Sequence, residues 1–416
     1  NSTYTLVKRI SLITLFLSVA VTFSAMGQHR VLGEVKKKLN SLSLTADTYK
    51  GALTTLKPAL SHDETKEVAE TWYLQGKLQY GYYDRCMDAK SVGKKVDVKA
   101  MGHALIDGYA GFCKALSLDT IVEVDKKGNA KIDKKTGAPK FKTKYSGEIT
   151  SKIASHHSDY NTAGGDLYNN KDWDGAFDAW EIFCTINDNI THAMADTVIG
   201  QVRFYQALAM WQKGENKSAV DYFAKARAKG YCKKECYDYA LVCLSAINDE
   251  RGIISLAREA YSRFGASEPQ FVRVLINDNI NNKEFDKAGK LLDEVIAEND
   301  HDAEIFNLKG LVVEQKDGME KALPFYQKCI ELDPENSQGH FNVGRYYYNE
   351  ATMVPEKFPR LSGRKLAEKA NPLYRNALPH FEKAYEQDKS NEDVKNALRN
   401  IYYKLGEGKK LQQIEE

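Results

Sequence analysis

The feature that most constrains this chain is a pair of amphipathic helices whose pattern recurs about every 34 residues. The pattern is clearest from 303 to 336, where apolar residues recur at spacings of three and four in two successive segments. Gly310 in the first segment and Ala322 in the second are small, so two helices that carry them can approach closely. Pro334 ends the pair, because proline cannot continue a helix. The segment is therefore predicted to be a helix-turn-helix unit.

The pattern returns on both sides of this unit. One step toward the N-terminus it covers 269–302, and one step toward the C-terminus it begins at Ser337. Earlier units cover 157–188 and 200–231, and a weaker one covers 234–268. Helix pairs of this kind bury their apolar faces against their neighbours, so the sequence predicts a repeat array.

These units resemble the tetratricopeptide repeat, and the resemblance covers most of the chain after residue 27. The chain is thus similar to exported bacterial proteins of that type. The resemblance implies an all-α, right-handed α-solenoid of helix-turn-helix repeats with a small β-hairpin or flexible insertion. It also implies a non-enzymatic protein that binds a protein or peptide partner on the face formed by the first helices.

The pattern divides the chain into segments with different expected structures. In order, these are a signal peptide at 1–27, helices with an insertion at 28–119, a Lys-rich hairpin or arm at 120–146, central repeats at 147–302, C-terminal repeats at 303–389 with an insertion at 352–373, and a capping helix at 390–416. The insertion in the N-terminal helices lies at 85–103. Insertions within helix pairs are expected to project as loops from one face of the array.

The segment 120–146 departs from the helical pattern. Its apolar residues alternate with polar ones around turn signals, which predicts a small β-hairpin or a mobile arm. Between Asp125 and Lys144 there are eight lysines against two aspartates, whereas 172–202 carries six acidic residues and no lysine or arginine. These charges either keep loops and helix faces solvated, or the arm folds back on the acidic repeat, or an acidic partner takes the place of that repeat.

The N-terminus has the pattern of a signal peptide. Lys8 and Arg9 precede an uncharged, mainly apolar stretch that ends near Ala25 and is followed by Gly27 and Gln28. This order predicts a cleavable signal, with Gln28 as the first residue of the mature chain. The apolar stretch is shorter than the about 20 residues that span a bilayer. Because no cysteine for a lipid anchor lies near the predicted cut, we expect a periplasmic or secreted protein.

The charge balance limits the classes of partner. The chain carries 59 lysines and arginines against 57 aspartates and glutamates, and loss of the two basic residues of the signal would leave it formally neutral. A neutral chain has no overall field to recruit nucleic acid or an anionic membrane, so neither is expected as its principal partner. No membrane span is expected after signal cleavage, because no other segment has the required length and apolarity.

The sequence contains no motif that predicts catalysis, a cofactor or a metal site. Gly164 and Gly165 lack the lysine and hydroxyl residue of a phosphate-binding loop. The adjacent His156 and His157 point in different directions on a helix, which disfavours a shared metal ion. An enzyme with catalytic residues in the insertions is the least favoured interpretation.

Two pairs of residues suggest covalent modification. Cys232 and Cys236 lie close together at a junction between repeats, and an oxidising compartment would permit a disulfide between them. Thr120 and Thr197 each lie in an Asp-Thr-aliphatic tripeptide that resembles bacterial O-glycosylation sites. Both modifications are predictions about an exported protein.

Polar and aromatic residues on the predicted first helices are candidates for a ligand groove. Asparagine amides can hydrogen-bond the backbone of a bound peptide, and tyrosine rings can line its path. The candidates are Asn277, Asn307, Asn342, Arg345, Tyr346 and Tyr348. Asn342 and Arg345 also suggest the carboxylate clamp of the family, but the full set of residues for that clamp does not recur.

Two functions from different classes follow. The first is an exported scaffold or adaptor that mediates protein–protein interactions in the bacterial envelope, with a homo-oligomer as one form of assembly. The alternative is an accessory protein that binds envelope glycan or peptidoglycan fragments through aromatic side chains. The four tryptophans occupy positions expected to pack between repeats, which weakens the alternative. No cofactor is expected for either function.

Overall fold

The computed structural model describes residues 25–41 and 44–415. These residues form twenty α-helices and one small β-sheet, so the predicted all-α fold with a β-hairpin is confirmed. Residues 1–24, which make up most of the predicted signal peptide, lie outside the described residues. Within the described ranges, no helix has both the length and the hydropathy needed to cross a membrane.

The chain folds into two compact units, the first ending at Asn248 and the second beginning at Asp249. The two helices of the weak repeat predicted at 234–268 lie on either side of this boundary. Sequence periodicity does not reveal the boundary, since the helices on both sides carry the same apolar spacing.

The first unit is a series of helical hairpins. Its helices are α1 (Ala25–Leu39), α2 (Ala46–Ser61), α3 (Ala69–Ser91), α4 (Val98–Leu118), α5 (Ser146–Ser155), α6 (His157–Asn169), α7 (Trp173–Ile186), α8 (Asp196–Gln212), α9 (Asn216–Ala228) and α10 (Lys234–Ala246). Hairpins form between α1 and α2, α3 and α4, α6 and α7, and α8 and α9, and α10 packs on α9. Helix α4 also packs on α6 and α7, which continues the array past the segment between α4 and α5.

The second unit repeats this arrangement. Its helices are α11 (Glu250–Phe264), α12 (Pro269–Asn281), α13 (Phe285–Glu298), α14 (Ala303–Asp317), α15 (Met319–Leu332), α16 (Ser337–Thr352), α17 (Val354–Lys357), α18 (Arg364–Gln387), α19 (Glu392–Leu405) and α20 (Gly408–Glu415). Each helix packs on the next one in the chain, and α16 also packs directly on α18. Packing between successive neighbours is the arrangement of an α-solenoid.

Within several hairpins, a glycine of the first helix makes room for an aromatic ring of the second. A Cβ atom at Gly164 would lie 2.3 Å from Trp180 Nε1, and one at Gly310 would lie 2.4 Å from Tyr326 Cε1. Two further pairs of this kind are Gly76 with Phe112 and Gly344 with Phe381. The space at Gly310, expected to be matched by Ala322, is filled by the Tyr326 ring, while Ala322 is buried in the same cluster.

The ends of the C-terminal helices follow the predicted stop signals. Helix α15 ends shortly before Pro334. Helix α19 ends at Leu405, and the next residue, Gly406, has a φ of +78°, the left-handed conformation that closes many helices. The predicted capping segment 390–416 contains two helices, α19 and α20, and Ile414 of α20 is buried in the core of the second unit.

Both predicted insertions lengthen helices instead of projecting as loops. In 85–103, helices α3 and α4 continue to within a few residues of Gly93, where the chain turns with a φ of +76°. In 352–373, α18 already begins at Arg364, which leaves 358–363 as the loop. The lysine, alanine and arginine residues of these segments are good helix formers, so they extend the helices that they were expected to interrupt. The loop prediction is therefore wrong for most of both segments.

Replacement of Gly164 by alanine tests the contact between glycine and ring. The added methyl group would meet the Trp180 indole at 2.3 Å, so Gly164→Ala should lower the free energy of unfolding. We expect a loss of about 1–3 kcal/mol, as for other overpacked contacts. Urea unfolding followed by circular dichroism measures the change.

The neighbouring Gly165 provides the control. A Cβ atom there meets nothing within 4 Å, and alanine is the better helix former. Gly165→Ala should therefore leave stability unchanged or raise it by up to about 1 kcal/mol. Equal stability of the two variants would contradict the packing of α6 on α7.

Candidate interaction surfaces

A chain of polar side chains joins α14, α15 and α16; we call it the polar seam, and it comprises Asn307, Glu314, Tyr326, Asn342 and Arg345. Asn342 Nδ2 donates to Asn307 Oδ1 at 2.9 Å. Arg345 Nη2 donates to Glu314 Oε2 at 2.6 Å and to Asn342 Oδ1 at 3.2 Å. The Tyr326 hydroxyl donates to the same Glu314 oxygen at 2.7 Å, and burial together with this bond raises the pKa of Tyr326. The seam sets two first helices side by side in a defined register.

The seam changes the interpretation of three predicted groove residues. Asn342 is 1 % exposed and Asn307 is 6 % exposed, and their amides bind each other. Arg345 is half-buried and its guanidinium is paired with Glu314. These residues support the surface of the first helices from within, so they do not offer free amides to a ligand.

The other predicted groove residues differ in exposure. The Tyr348 ring packs near Tyr374 and Phe381, with ring centroids 5.9 and 6.0 Å away, and its hydroxyl accepts a hydrogen bond from Asn400 at 2.6 Å. Tyr348 therefore contributes to the core of the second unit. Asn277 is exposed on α12 and Tyr346 is half-buried on α16, so these two retain accessible surface. Their role in binding stays a prediction.

Two histidines meet between α16 and α18. His340 Nδ1 and His380 Nδ1 are 2.9 Å apart, and His340 Nε2 lies 2.9 Å from the Pro334 carbonyl. A carbonyl only accepts, so His340 Nε2 carries a proton; in neutral His340 the Nδ1 atom is then the acceptor for His380. Burial and the neighbouring His340 lower the pKa of His380 to about 4.

This pair predicts a loss of stability on acidification. The unfolded state takes up a proton on His380 near pH 6.5, whereas the folded state resists it until about pH 4. The free energy of unfolding should therefore fall as the pH drops from 7 to 4.5, by roughly 1–2 kcal/mol from this residue after solvent screening. Urea unfolding of the native chain and of His380→Gln at several pH values measures the effect. An equally steep pH dependence in the variant would contradict it.

The adjacent His156 and His157 make separate structural contacts. His156 Nε2 lies 3.0 Å from Asp84, and His156 Nδ1 lies 2.9 Å from the Lys152 carbonyl. Burial would lower the pKa of His156, but these acceptors outweigh it and raise the pKa. His157 Nε2 donates to the Phe183 carbonyl at 3.0 Å. In the described part of the chain, no group of three or more His, Cys, Asp or Glu residues could hold a metal ion.

The predicted modification sites occupy different environments. Cys236 is buried with its Sγ atom 3.5 Å from the Phe223 carbonyl, and Cys232 is half-buried with its Sγ atom 3.5 Å from the Arg227 carbonyl. Each sulfur acts as a thiol donor here, and the disulfide stays a prediction. Thr120 is exposed after α4, and Thr197 is exposed in the first turn of α8. Their glycosylation also stays a prediction.

The segment between α4 and α5 forms a β-arm, residues 120–144, with three short extended segments. Strand β1 (Ile121–Val122) pairs antiparallel with β2 (Phe141–Lys142). Two further residue pairs join Val124 to Ala130 and Ile132 to Pro139. Three backbone hydrogen bonds of 2.7–2.8 Å connect the three segments to one another. The N–H of Glu123 donates to the Lys140 carbonyl, that of Lys140 to the Lys131 carbonyl, and that of Lys131 to the Glu123 carbonyl. The predicted hairpin is thus present, with one additional extended segment.

Asp119 closes the base of the β-arm. Its carboxylate accepts hydrogen bonds from the backbone N–H groups of Lys144, Tyr145 and Ser146 at 2.7–3.0 Å and from the Ser146 hydroxyl at 2.7 Å. Burial alone would raise the pKa of Asp119, but these bonds outweigh burial and lower it. Tyr145 stacks on Tyr73 of α3 with a centroid distance of 4.3 Å. Both ends of the arm are therefore fixed to the helical body.

The acidic repeat takes its cationic partners from helices and from the residues that end them. Asp172 accepts from His103 at 2.8 Å and pairs with Lys99 at 3.0 Å. The other ion pairs of this repeat are Asp174 with Lys213, Glu181 with Arg203, and Asp196 with Lys229. The alternative in which the lysines of the arm neutralise the acidic repeat is thus not the arrangement found.

Removal of the Asp119 carboxylate should release the arm. Asp119→Ala leaves three backbone N–H groups without their acceptor, so we expect a loss of about 1–3 kcal/mol in the free energy of unfolding. Amides at 144–146 should exchange with deuterium at least about tenfold faster. Hydrogen-exchange mass spectrometry measures this rate, with the exposed Asp221→Ala as control. Unchanged exchange at 144–146 would show that the carboxylate does not hold the arm.

Comparisons with known proteins found similarity only in structure. No protein-family model matches the chain, and no curated protein matches it in sequence. MamA (41-end) from Desulfovibrio magneticus RS-1 is 16 % identical over 46 % of this chain and 96 % of its own, with a TM-score of 0.34. The P58(IPK) TPR domain is 12 % identical over 92 % of this chain and 99 % of its own, with a TM-score of 0.31. A protein from Bacteroides ovatus ATCC 8483 is 17 % identical over 50 % of this chain and 98 % of its own, with a TM-score of 0.32. Similarity this low carries no argument for a partner or an activity.

Proposed function

We propose that this chain is an exported, non-enzymatic scaffold or adaptor that binds other proteins in the periplasm of a bacterium. Export is supported by the signal-peptide pattern of residues 1–27. Protein binding is supported by the solenoid packing of each unit, because stacked helix pairs present long surfaces that suit extended segments of a partner.

The observation that carries the proposal is the alignment of first helices in the second unit. The hydrogen bond between Asn307 and Asn342 and the pair between Arg345 and Glu314 join α14 to α16. Arg273 of α12 forms ion pairs with Asp302, which caps α14, and with Glu304 in the first turn of α14. Three successive first helices therefore form one preformed surface, so a partner would bind without paying to order it.

The exposed positions on this surface are the ones to test. Asn277 on α12 and Tyr346 on α16 keep accessible side chains, whereas Asn342 and Arg345 maintain the fold. An aromatic ring and an amide are the kinds of side chain that anchor a peptide and bind its backbone. Replacement of Asn342 or Arg345 is unsuitable as a test, because weaker binding by such a variant could result from lower stability.

Affinity capture tests the proposal with matched variants. The tagged mature chain, 28–416, is compared with Asn277→Ala/Tyr346→Ala and with Asn376→Ala/Tyr403→Ala, whose residues are exposed on α18 and α19. The captures are made from periplasmic extract of the native host, and the retained proteins are identified by mass spectrometry.

We expect to find a protein that both the native chain and the control variant, Asn376→Ala/Tyr403→Ala, retain. The Asn277→Ala/Tyr346→Ala variant should retain at least about tenfold less of it, as for loss of one hot-spot anchor. Equal recovery in all three captures would contradict binding on this surface. Recovery of the chain in the cytoplasm with residues 8–25 still attached would contradict export.

The alternative, binding of envelope glycan, rests on a smaller set of side chains. Trp72 Nε1 donates to the Lys66 carbonyl at 2.6 Å, and Trp180 is buried against Gly164. Of the four tryptophans, Trp72, Trp173 and Trp211 are half-buried. Trp173 lies beside Tyr168 and Trp211 beside Tyr239, at centroid distances of 4.8 and 4.9 Å. Retention of glycan without protein in the capture would favour this alternative.

A further inference from the structure

The β-arm carries an apolar face. Directly opposite residues of an antiparallel pair share a face, and so do residues two apart in one strand. Together these rules place six residues of the arm on the same face: Val122, Val124, Ala130, Ile132, Pro139 and Phe141. The four large members, Val122, Val124, Ile132 and Phe141, remain 41–54 % exposed. The arm is too small to bury this face by itself.

Unpaired positive charge lies in the two turns of the arm, next to the residues of the apolar face in sequence. The carboxylates of the two turns, Asp125 and Asp133, accept backbone N–H groups within the turns. Lys131 pairs with Glu123, and Lys144 lies near Glu70. Among the described residues, the four turn lysines form no ion pair: Lys126, Lys127, Lys134 and Lys135. Their charge is therefore available to an anionic surface outside the chain.

The base of the arm holds this face in place. Asp119 binds three successive backbone N–H groups at the end of the arm, and Tyr145 stacks on Tyr73. Backbone hydrogen bonds at Glu123, Lys131 and Lys140 connect the three segments. The arm thus presents its apolar and charged groups in a preformed arrangement, which lowers the entropy lost on binding.

We propose that the β-arm binds bilayers that contain anionic phospholipid. The apolar face would enter the boundary between headgroups and acyl chains, and the turn lysines would lie at the phosphates, as in other interfacial amphipathic segments. The formal neutrality of the whole chain does not oppose this. Beyond about 10 Å charges are screened at physiological salt, so the local charge of the arm decides the interaction.

The composition of the arm favours a lipid surface over an acidic protein. Protein interfaces are enriched in arginine and depleted in lysine. Residues 120–144 contain eight lysines and no arginine. Arginine forms bidentate contacts with carboxylates, whereas lysine is a point charge that suits a diffuse layer of phosphates.

Vesicle flotation tests the proposal with the whole mature chain. One set of vesicles contains equal parts of phosphatidylglycerol and phosphatidylethanolamine, and the other contains phosphatidylcholine alone. The charge variant replaces Lys126, Lys127, Lys134 and Lys135 by Gln, and the apolar variant is Ile132→Ser/Phe141→Ser. The control replaces four exposed lysines elsewhere in the first unit by Gln: Lys57, Lys94, Lys95 and Lys171.

We expect the native chain and the control to float with the anionic vesicles and not with phosphatidylcholine. Each turn lysine near an anionic surface contributes roughly a fivefold gain in affinity, so the charge variant should bind at least about a hundredfold more weakly. The apolar variant should also lose binding, and circular dichroism checks that both variants stay folded. High salt should weaken binding of the native chain.

The proposal is overturned if the native chain does not float with anionic vesicles or floats equally with both kinds of vesicle. It is also overturned if the charge variant and the control bind equally. Binding of polyglutamate through the turn lysines without binding of vesicles would assign the arm to an acidic protein.

Discussion

In four of the helical hairpins, two in each unit, the two helices meet where a ring of the second helix packs on a glycine of the first. At Gly310 and at Gly164 the first helix offers bare backbone, and Tyr326 and Trp180 of the second helix fill that space. Such a contact brings two helix axes close while burying a large ring, so one hairpin gains both close packing and apolar burial. This contact recurs in two hairpins of each unit. Because each hairpin packs mainly on the next, no single central core is needed.

Polar contacts then set the register of helices that the apolar contacts merely bring together. Asn342 and Asn307 are buried amides, and buried amides are tolerated only when they are hydrogen-bonded. Their mutual bond, with Arg345 and Glu314 beside it, therefore admits one alignment of α14 and α16. Asn307, Asn342 and Arg345 were predicted to contact a ligand, but in the structure they contact one another and Glu314 between the helices. Their residue types indicated a role in polar contacts but did not show whether the partner is a ligand or a neighbouring helix.

The β-arm differs from the repeats in that no neighbouring element of the described chain buries its apolar face. A helix pair has a neighbour to cover its apolar face, whereas the arm has three short extended segments and keeps Val122, Val124, Ile132 and Phe141 partly in solvent. Its order comes from backbone hydrogen bonds and from the Asp119 carboxylate at its base. The arm thus differs from the rest of the chain in being an ordered segment with an uncovered apolar face. Its turn lysines favour contact with an anionic surface.

The sequence alone determined the repeat, the helix pairs and most of their ends, because apolar spacing, glycine and proline act over a few residues. It also indicated the β-hairpin from alternation and turn residues. It could not show that Lys-rich insertions would extend α3, α4 and α18, since loop and helix share these residue types. The role of Asp119 was equally hidden, because the backbone N–H groups that donate to its carboxylate begin at Lys144, at the far end of the arm. Only the tertiary structure decided which of Asn277, Asn342, Tyr346 and Tyr348 remain at the surface, since burial depends on neighbouring helices that local pattern does not specify.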